Sequence, residues 1–258
     1  MSFGVNNPNG FVPLSIQDVQ GTPNVPFDES YSIESGYNQN IGCGDLVILN
    51  NTFLKTSLPQ GFLINFFDYI NGKTSTNPTS FGTCGPSLGV FIGVSYEKVY
   101  ERGDTPYIPA WRNSWVAGMT TQGGAPAKAR IIPLTYNYRW SCQMDLNGFL
   151  ATGLGNFVAV QYQVDANGKV VLGKDGSSTI YLSTQTASTS EGVIKTGNKF
   201  TPSGGNGAVP KQGTNWTLCQ VIGFDNRNGE NQAGIPYGQV QVRLCDAQLP
   251  MISSQIGL

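Results

Sequence analysis

The chain has no histidine among its 258 residues. Histidine is the side chain most often used as a general base or metal ligand near neutral pH, so the composition favours a binding protein over an enzyme. We expect no cofactor and no bound metal. Without histidine the chain also lacks the usual switch between pH 6 and 7, and any acid sensitivity is expected from carboxylates at lower pH.

Charge is also scarce. Only 12% of the residues are charged, where an ordinary soluble domain has about 25%. The 15 basic and 16 acidic residues leave a net charge of −1, and no basic run is present to neutralise phosphates. We therefore expect no nucleic-acid partner. The many amide and hydroxyl side chains predict a surface that packs against neighbours without repelling them.

Long apolar runs are missing too. None approaches the ~20 residues that a membrane-spanning helix needs, so no membrane partner is expected. The first ten residues, MSFGVNNPNG, have neither a basic segment nor an apolar segment of the kind found in a signal peptide. This predicts a protein that is made in the cytoplasm and not exported.

Cysteines are few, widely spaced and odd in number, and no pair has the C-x-x-C spacing. Zinc sites need clustered thiolates, and disulfide frameworks are typical of exported proteins. The spacing therefore favours free, buried thiols at all five positions, which are Cys43, Cys84, Cys142, Cys219 and Cys245.

The sequence does contain short segments typical of β-strands. Leu46–Leu49 and 89–96 are strand-length apolar runs, and 238–244 alternates apolar and polar residues. In 157–172 two such runs flank Asn167-Gly168, the strongest short hairpin signal. We count at least six strands and no convincing amphipathic helix. The prediction is an all-β fold, an antiparallel β-barrel-like or β-sandwich domain.

Proline, glycine and asparagine dominate residues 1–29, where apolar residues are too few to form a core. This segment is predicted to be an extended N-terminal arm. Residues 30–258 are predicted to form one all-β domain with two insertions, at about 50–86 and 191–213. The first insertion includes the aromatic-rich stretch 60–71, read as a helix, a buried strand or a loop that plugs into a neighbour.

Two patterns hint at catalysis. Gly85-Pro86-Ser87-Leu88-Gly89 matches the G-x-S-x-G nucleophile elbow, but that serine needs a histidine to accept its proton, so a turn is favoured. A glycosidase needs two carboxyl groups about 5–9.5 Å apart in a cleft. Acids near aromatic residues are candidates, but no spacing singles out a pair among Asp68, Glu97, Glu101, Asp104 and Asp145.

Several segments, taken in order, resemble one protein family. They include SYSIESGYNQNIGCGDLVIL at 30–49, LGVFIGVSYEK at 88–98, the Pro109-Ala110-Trp111 turn and AKARIIPLTYNYRWSCQMDLNG at 127–148. The likeness continues through GLGNF at 153–157, SSTIYLSTQTAST at 177–189 and LCQVIGF at 218–224. This run is similar to the capsid decoration, or cement, proteins of tailed bacteriophages.

The resemblance implies a non-enzymatic virion structural protein on the exterior of the capsid. It would be a homo-oligomer, a dimer or trimer, that binds the major capsid protein, bridges capsomers and stabilises the head. The arm and the aromatic-rich insertion are the candidate contact segments, because both carry apolar residues that need burial. The candidate interface residues are Phe3, Phe11, Val12, Leu14 and Ile16 in the arm, and Phe62, Phe66, Phe67 and Tyr69 in the insertion.

An alternative function is a carbohydrate- or host-receptor-binding module displayed on the virion. Exposed aromatic rings could stack on sugars, although most large aromatics lie in cores or interfaces. The relevant tryptophans are Trp111, Trp115, Trp140 and Trp216.

Overall fold

The computed structural model describes residues 7–14, 28–50, 61–71, 88–96, 110–133, 138–155, 157–183, 193–195, 219–225 and 233–244. Within these ranges the chain is built almost entirely of strands, which confirms the all-β prediction. The elements are β1 Val12–Leu14, β2 Asp28–Ile33, β3 Ile41–Gly42, β4 Leu46–Leu49, β5 Leu63–Asn65, α1 Phe66–Asn71, β6 Leu88–Tyr96, β7 Ala110–Arg112, β8 Ser114–Trp115, β9 Ala127–Pro133, β10 Arg139–Gln143, β11 Phe157–Val164, β12 Tyr181–Ser183, β13 Val193–Lys195, β14 Cys219–Phe224 and β15 Gln239–Leu244.

The strands form two large sheets. The seven-stranded sheet has the order β1-β10-β15-β14-β11-β12, with β13 also paired to β11. The six-stranded sheet has the order β2-β9-β6-β4-β5, with β7 also paired to β6. A third, two-stranded sheet joins β3 to β8. All these pairs are antiparallel except the pair of β11 and β13.

One hydrophobic cluster contains side chains from both large sheets. In β15 the alternation is clear, because Val240 and Val242 are buried while Gln239 and Gln241 are only partly covered. Strand β4 is a continuous apolar run, and both β4 and β5 are buried on both faces. Strands from opposite parts of each sheet also approach one another, because Met144, next to β10, bridges to Leu182 in β12, and β2 lies beside β5. The described strands therefore agree with both forms of the prediction, a barrel-like or a β-sandwich domain.

The predicted hairpin at 157–172 is confirmed in its turn but not in its second strand. Asp165 Oδ1 accepts hydrogen bonds from the backbone N–H of Asn167 and of Lys169, both at 2.8 Å, and Gly168 has φ +74°. The chain then makes only a single bridge, Val164 to Val170. The antiparallel partners of β11 are β12, which begins 17 residues after β11 ends, and β14. The turn residues therefore determine where the chain reverses, whereas the strands that pair with β11 are determined by tertiary packing.

Part of the predicted arm lies on the body of the protein. Strand β1 pairs with β10 at the edge of the seven-stranded sheet, and the Phe11 and Leu14 side chains are buried. Within the first insertion, 61–71 forms β5 and the short helix α1, so this stretch is both strand and helix. Of the second insertion only β13 is described. The domain boundary at residue 29 remains a prediction.

Candidate functional site: a buried carboxylate beneath the arm

A buried aspartate joins segments that are far apart in the chain. Asp45, which is fully buried, follows the tight turn that begins at Gly42 and leads into β4. Its Oδ2 accepts hydrogen bonds from the Gly42 N–H at 2.7 Å and from Asn65 Nδ2 at 3.0 Å. Its Oδ1 accepts a hydrogen bond from the Ser178 hydroxyl. The carboxylate therefore connects the turn, the end of β5 and the loop before β12.

The arm covers this site by close backbone contact. The Phe11 N–H donates to the Gly44 carbonyl at 2.9 Å, next to Asp45. Gly10 and Gly44 both have positive φ, and a Cβ added to either would lie 2.5 Å from a neighbouring atom. The neighbours are the Gly44 carbonyl and Ser178 for Gly10, and the Asn9 carbonyl for Gly44. Only glycine permits this approach, so the arm is fitted to the turn.

Burial raises the pKa of Asp45 to about 6 against the opposing effect of its hydrogen bonds from Ser178, Gly42 and Asn65. Desolvation disfavours the charged form, and among the described residues no basic side chain compensates for it. The expectation that carboxylates act only at lower pH thus needs a correction. One carboxylate titrates in the range where histidine usually does.

A second set of hydrogen-bonded polar side chains, Tyr37, Gln39 and Asp68, lies beside the Asp45 site. The Tyr37 hydroxyl donates to Asp68 Oδ2 at 2.8 Å and accepts a hydrogen bond from the Asn65 N–H at 2.9 Å. Gln39 Nε2 donates to Asp68 Oδ1 at 2.9 Å, and Gln39 Oε1 accepts the Val170 N–H at 2.8 Å. These bonds tie α1 and the loop after β11 to the segment that precedes Asp45. Asp68, a glycosidase candidate, therefore holds elements together.

Sequence reasoning did not single out Asp45. The sequence did contain a sign of a buried carboxylate, because Asp45 comes directly before the apolar strand LVIL. The Gly44-Asp45 pair also lies in the segment 30–49, one of those on which the predicted resemblance rests. Its geometry supplies a physical reason for both residue types: Gly44 permits close approach and Asp45 accepts three hydrogen bonds.

The structure divides the candidate interface residues into three groups. Phe11, Leu14, Phe66 and Phe67 are buried in the protein's own core, and the Phe67 ring lies 5.4 Å from that of Tyr162 in β11. Phe62 is half-buried, and Val12 is 36% exposed. Phe3, Ile16 and the side chain of Tyr69 lie outside the described residues. The four buried residues agree with the alternative that these side chains pack internally. Among the described candidates, only Val12 and Phe62 have solvent-accessible side chains that a partner could contact.

Three exposed leucines lie on one loop, which we call the leucine loop, residues 145–155. Leu146, Leu150 and Leu154 are 62%, 63% and 44% exposed. The loop is held from below, because Phe149 is buried against Phe224 and the Gly234 N–H donates to the Phe149 carbonyl at 2.8 Å. No charged residue occurs from Leu146 to Val164. Exposed apolar residues on a loop that is fixed to the body are typical of contact surfaces.

The outer face of the seven-stranded sheet carries amide side chains. Gln143 lies directly opposite Gln239 across the pair of β10 and β15. Gln161 in β11 is fully buried, and neither atom of its amide has a hydrogen-bond partner. The amide-rich surface predicted from composition is therefore partly covered within the chain. The outward-facing glutamines of this sheet are Gln143, Gln161, Gln163, Gln220, Gln239 and Gln241.

The tryptophans do not form an exposed row. Trp115 and Trp140 are fully buried, and Trp115 Nε1 donates to the Tyr37 carbonyl at 2.9 Å. Trp111 is half-buried, with the Arg130 guanidinium 3.4 Å from its ring centroid. Trp216 lies outside the described residues. This placement counts against a sugar-stacking platform built from these tryptophans.

Other candidate chemistry finds little support in the described part of the chain. No group of three or more histidine, cysteine, aspartate or glutamate residues there could hold a metal ion. Asp145 accepts hydrogen bonds from the Ser183 hydroxyl at 2.6 Å and the Asn147 N–H at 3.0 Å. Cys43, Cys142 and Cys219 are not in disulfide bonds. None of the described helices is long and apolar enough to cross a membrane.

Comparisons with protein-family models, with curated proteins and with solved structures gave no match for this chain.

Proposed function

We propose that the chain is a non-enzymatic structural protein of a bacteriophage particle. It binds the outer surface of the lattice formed by the major capsid protein, bridges neighbouring capsomers and stabilises the head. It acts as a homo-oligomer, a dimer or trimer, on the exterior of the virion. The partner comes from the resemblance of the ordered segments between Ser30 and Phe224 to capsid decoration proteins.

The observation that carries the proposal is the leucine loop. Its three leucines are exposed, and buried Phe149 fixes the loop to the body. The leucines are therefore held in a defined position in which a partner could contact them. Contacts made by apolar side chains need no charged partner and depend little on salt. In a shell each contact can be weak, because many copies bind one lattice and repeated contacts raise the effective affinity.

Stabilisation then follows from mass action. A protein that binds the assembled lattice but not separated subunits shifts the equilibrium towards the assembled state. The mechanism is a binding equilibrium, in which no bond is made or broken. Val12 on β1 and half-buried Phe62 provide further exposed apolar surface for the same contacts.

The test uses heads of the encoding phage prepared without this chain. Purified protein is mixed with the heads, and the amount that sediments with them is measured. We expect stoichiometric binding by the natural chain and at least about tenfold weaker binding by the double variant Leu150→Ser, Leu154→Ser, since two large apolar contacts are lost.

The matched control is Val116→Ser, which replaces another exposed apolar residue, 47% exposed, away from the leucine loop. We expect it to bind like the natural chain. Failure of the natural chain to sediment with heads would refute the capsid role. Unchanged binding by the leucine variant would leave the capsid role in place and remove the loop from it.

A further inference from the structure

Asp45 is buried at the point where the arm meets the body. Its three hydrogen-bond donors come from its own turn, from the end of β5 and from the loop before β12. Gly10 of the arm lies directly over Gly44 and Ser178. We propose that Asp45 is a pH-dependent tie that holds arm residues 9–11 tightly to the body in mild acid and loosens them at neutral pH. The proposal concerns the chain alone and is independent of capsid binding.

Three groups that face Asp45 have raised pKa values, and a fourth, Asp68, is held by hydrogen bonds. Burial raises the pKa of Tyr37 and of Tyr162 well above the usual value, with Asp45 adding to both effects, so both phenols stay neutral. Burial likewise raises the pKa of Cys43, with contributions from Asp45 and Asp175. Asp68, on α1, is bound by Tyr37 and Gln39. None of these groups is a cation that could neutralise an ionised Asp45.

The direction follows from the burial. In the folded chain the carboxyl prefers to be neutral, and then it can donate its proton to the Ser178 oxygen while Gly42 and Asn65 continue to donate to it. Once ionised, it keeps three donors but lies in a dry site without a counter-charge, which favours any opening that admits water. The closed site is therefore favoured in acid and weakened as the pH rises through about 6.

Over the site the arm backbone is held by the hydrogen bond from the Phe11 N–H to the Gly44 carbonyl. On either side it is held by the Asn7 N–H, which donates to Gln143 Oε1 at 3.1 Å, and by the three residues of β1. Because the Phe11 ring is buried in the core, the proposed opening is a local loosening of the backbone at residues 9–11 that leaves the ring in place. The Ser178 loop is fastened more firmly, because the Ser178 N–H donates to the Cys43 carbonyl and the Thr179 hydroxyl to the Val171 carbonyl. Water is thus expected to reach Asp45 from the arm side.

The experiment is hydrogen–deuterium exchange of the peptide that contains Phe11, at pH 5 and pH 7.5. Each rate is divided by the intrinsic exchange rate at the same pH. We expect protection of this peptide to be several-fold lower at pH 7.5 than at pH 5. In Asp45→Asn, which keeps the shape of the side chain but cannot ionise, protection is expected to be equal at the two pH values.

Two further variants make the result specific. Asp145→Asn removes another partly buried carboxyl that does not contact the arm, so it should keep the difference between the two pH values. Ser178→Ala removes a donor that favours the ionised form, so the midpoint of the transition should move to higher pH. Equal protection in the natural chain, or a difference that persists in Asp45→Asn, would overturn the proposal. If Asp45→Asn does not fold, the Ser178→Ala midpoint decides, and an unmoved midpoint overturns it.

Discussion

Two glycines with the same backbone conformation differ in their surroundings. Gly36 and Gly44 have φ of +85° and +96°, which disfavours any residue with a Cβ. A Cβ at Gly36 would meet nothing within 4 Å, whereas one at Gly44 would lie 2.5 Å from the Asn9 carbonyl of the arm. The pair therefore separates the cost of backbone strain from that of displacing the arm.

We expect Gly36→Ala to lower the free energy of unfolding by about 1–2 kcal/mol, from backbone strain alone. Gly44→Ala should lose this amount and about 1–3 kcal/mol more, because the new methyl group has no room beneath the arm. Chemical denaturation of both variants measures the difference. Equal losses would mean that the arm yields at no cost, and that its fit to the turn contributes little to stability.

At the scale of secondary-structure elements, Asn65 links the end of β5 to the start of α1. Its Oδ1 accepts the Phe67 N–H at 2.9 Å, which caps the helix, while its Nδ2 donates to Asp45 and to the Asn40 carbonyl. One amide thus ends a strand, begins a helix and binds the buried carboxylate. An aspartate of the same shape would retain the cap but place a second acceptor against Asp45.

Asn65→Asp is therefore expected to destabilise the fold in a pH-dependent way. At pH 7.5 two carboxylates would face each other at about 3.0 Å, so the variant should melt well below the natural chain. At pH 5 one shared proton relieves the repulsion, and the difference in melting temperature should shrink. Asn65→Ala is the control, because it loses the same donor without adding charge. Its loss should also be larger at pH 7.5 than at pH 5, because the lost donor favours ionised Asp45, but the difference should be smaller than in Asn65→Asp.

The elements show where sequence patterns are informative. Strand β4 has the bounds predicted from its apolar run, because four consecutive apolar residues between Asp45 and Asn50 are typical of a short buried strand. The aromatic-rich stretch could not be resolved by periodicity, because Asn65 divides it into β5 and α1 through contacts with residues 20 to 25 positions away. The core placement of Phe11 could not be foreseen either, since it depends on the fit of Gly10 against Gly44.

For the whole molecule, sequence supports the fold class but not the site. Alternating residues such as Val240 and Val242 predict which face of a strand is buried. They do not show which sheets share a core, nor that Asp45 is enclosed between the arm and Ser178, because pairing between distant strands is set by tertiary packing. The absence of histidine likewise predicts that no imidazole changes its charge between pH 6 and 7. It does not predict that burial raises the pKa of Asp45 to about 6.

Titration of the buried carboxyls predicts an unusual dependence of overall stability on pH. Asp45 and Asp145 have raised pKa values, so the folded chain binds more protons than the unfolded chain. For Asp45 this difference lies between about pH 3.8 and 6, and its contribution to stability increases as the pH falls through that range. A shift of the Asp45 pKa from 3.8 to about 6 corresponds to about 2–3 kcal/mol. Partly buried Asp145 adds less.

Three exposed acids act in the opposite direction. Hydrogen bonds from neighbouring residues lower the pKa values of Asp28, Asp165 and Asp175, so their stabilisation is present above about pH 4 and is lost below it. We therefore expect the melting temperature, measured at constant ionic strength from pH 3 to 8, to be highest near about pH 4 and to fall as the pH rises through about 6. In Asp45→Asn the decline between pH 5 and 7.5 should largely disappear. A melting temperature that rises steadily to neutral pH would contradict the raised pKa of Asp45. It would mean that the carboxylate is accessible to water, because hydrogen bonds alone favour the ionised form and would make the folded chain more stable as the pH rises.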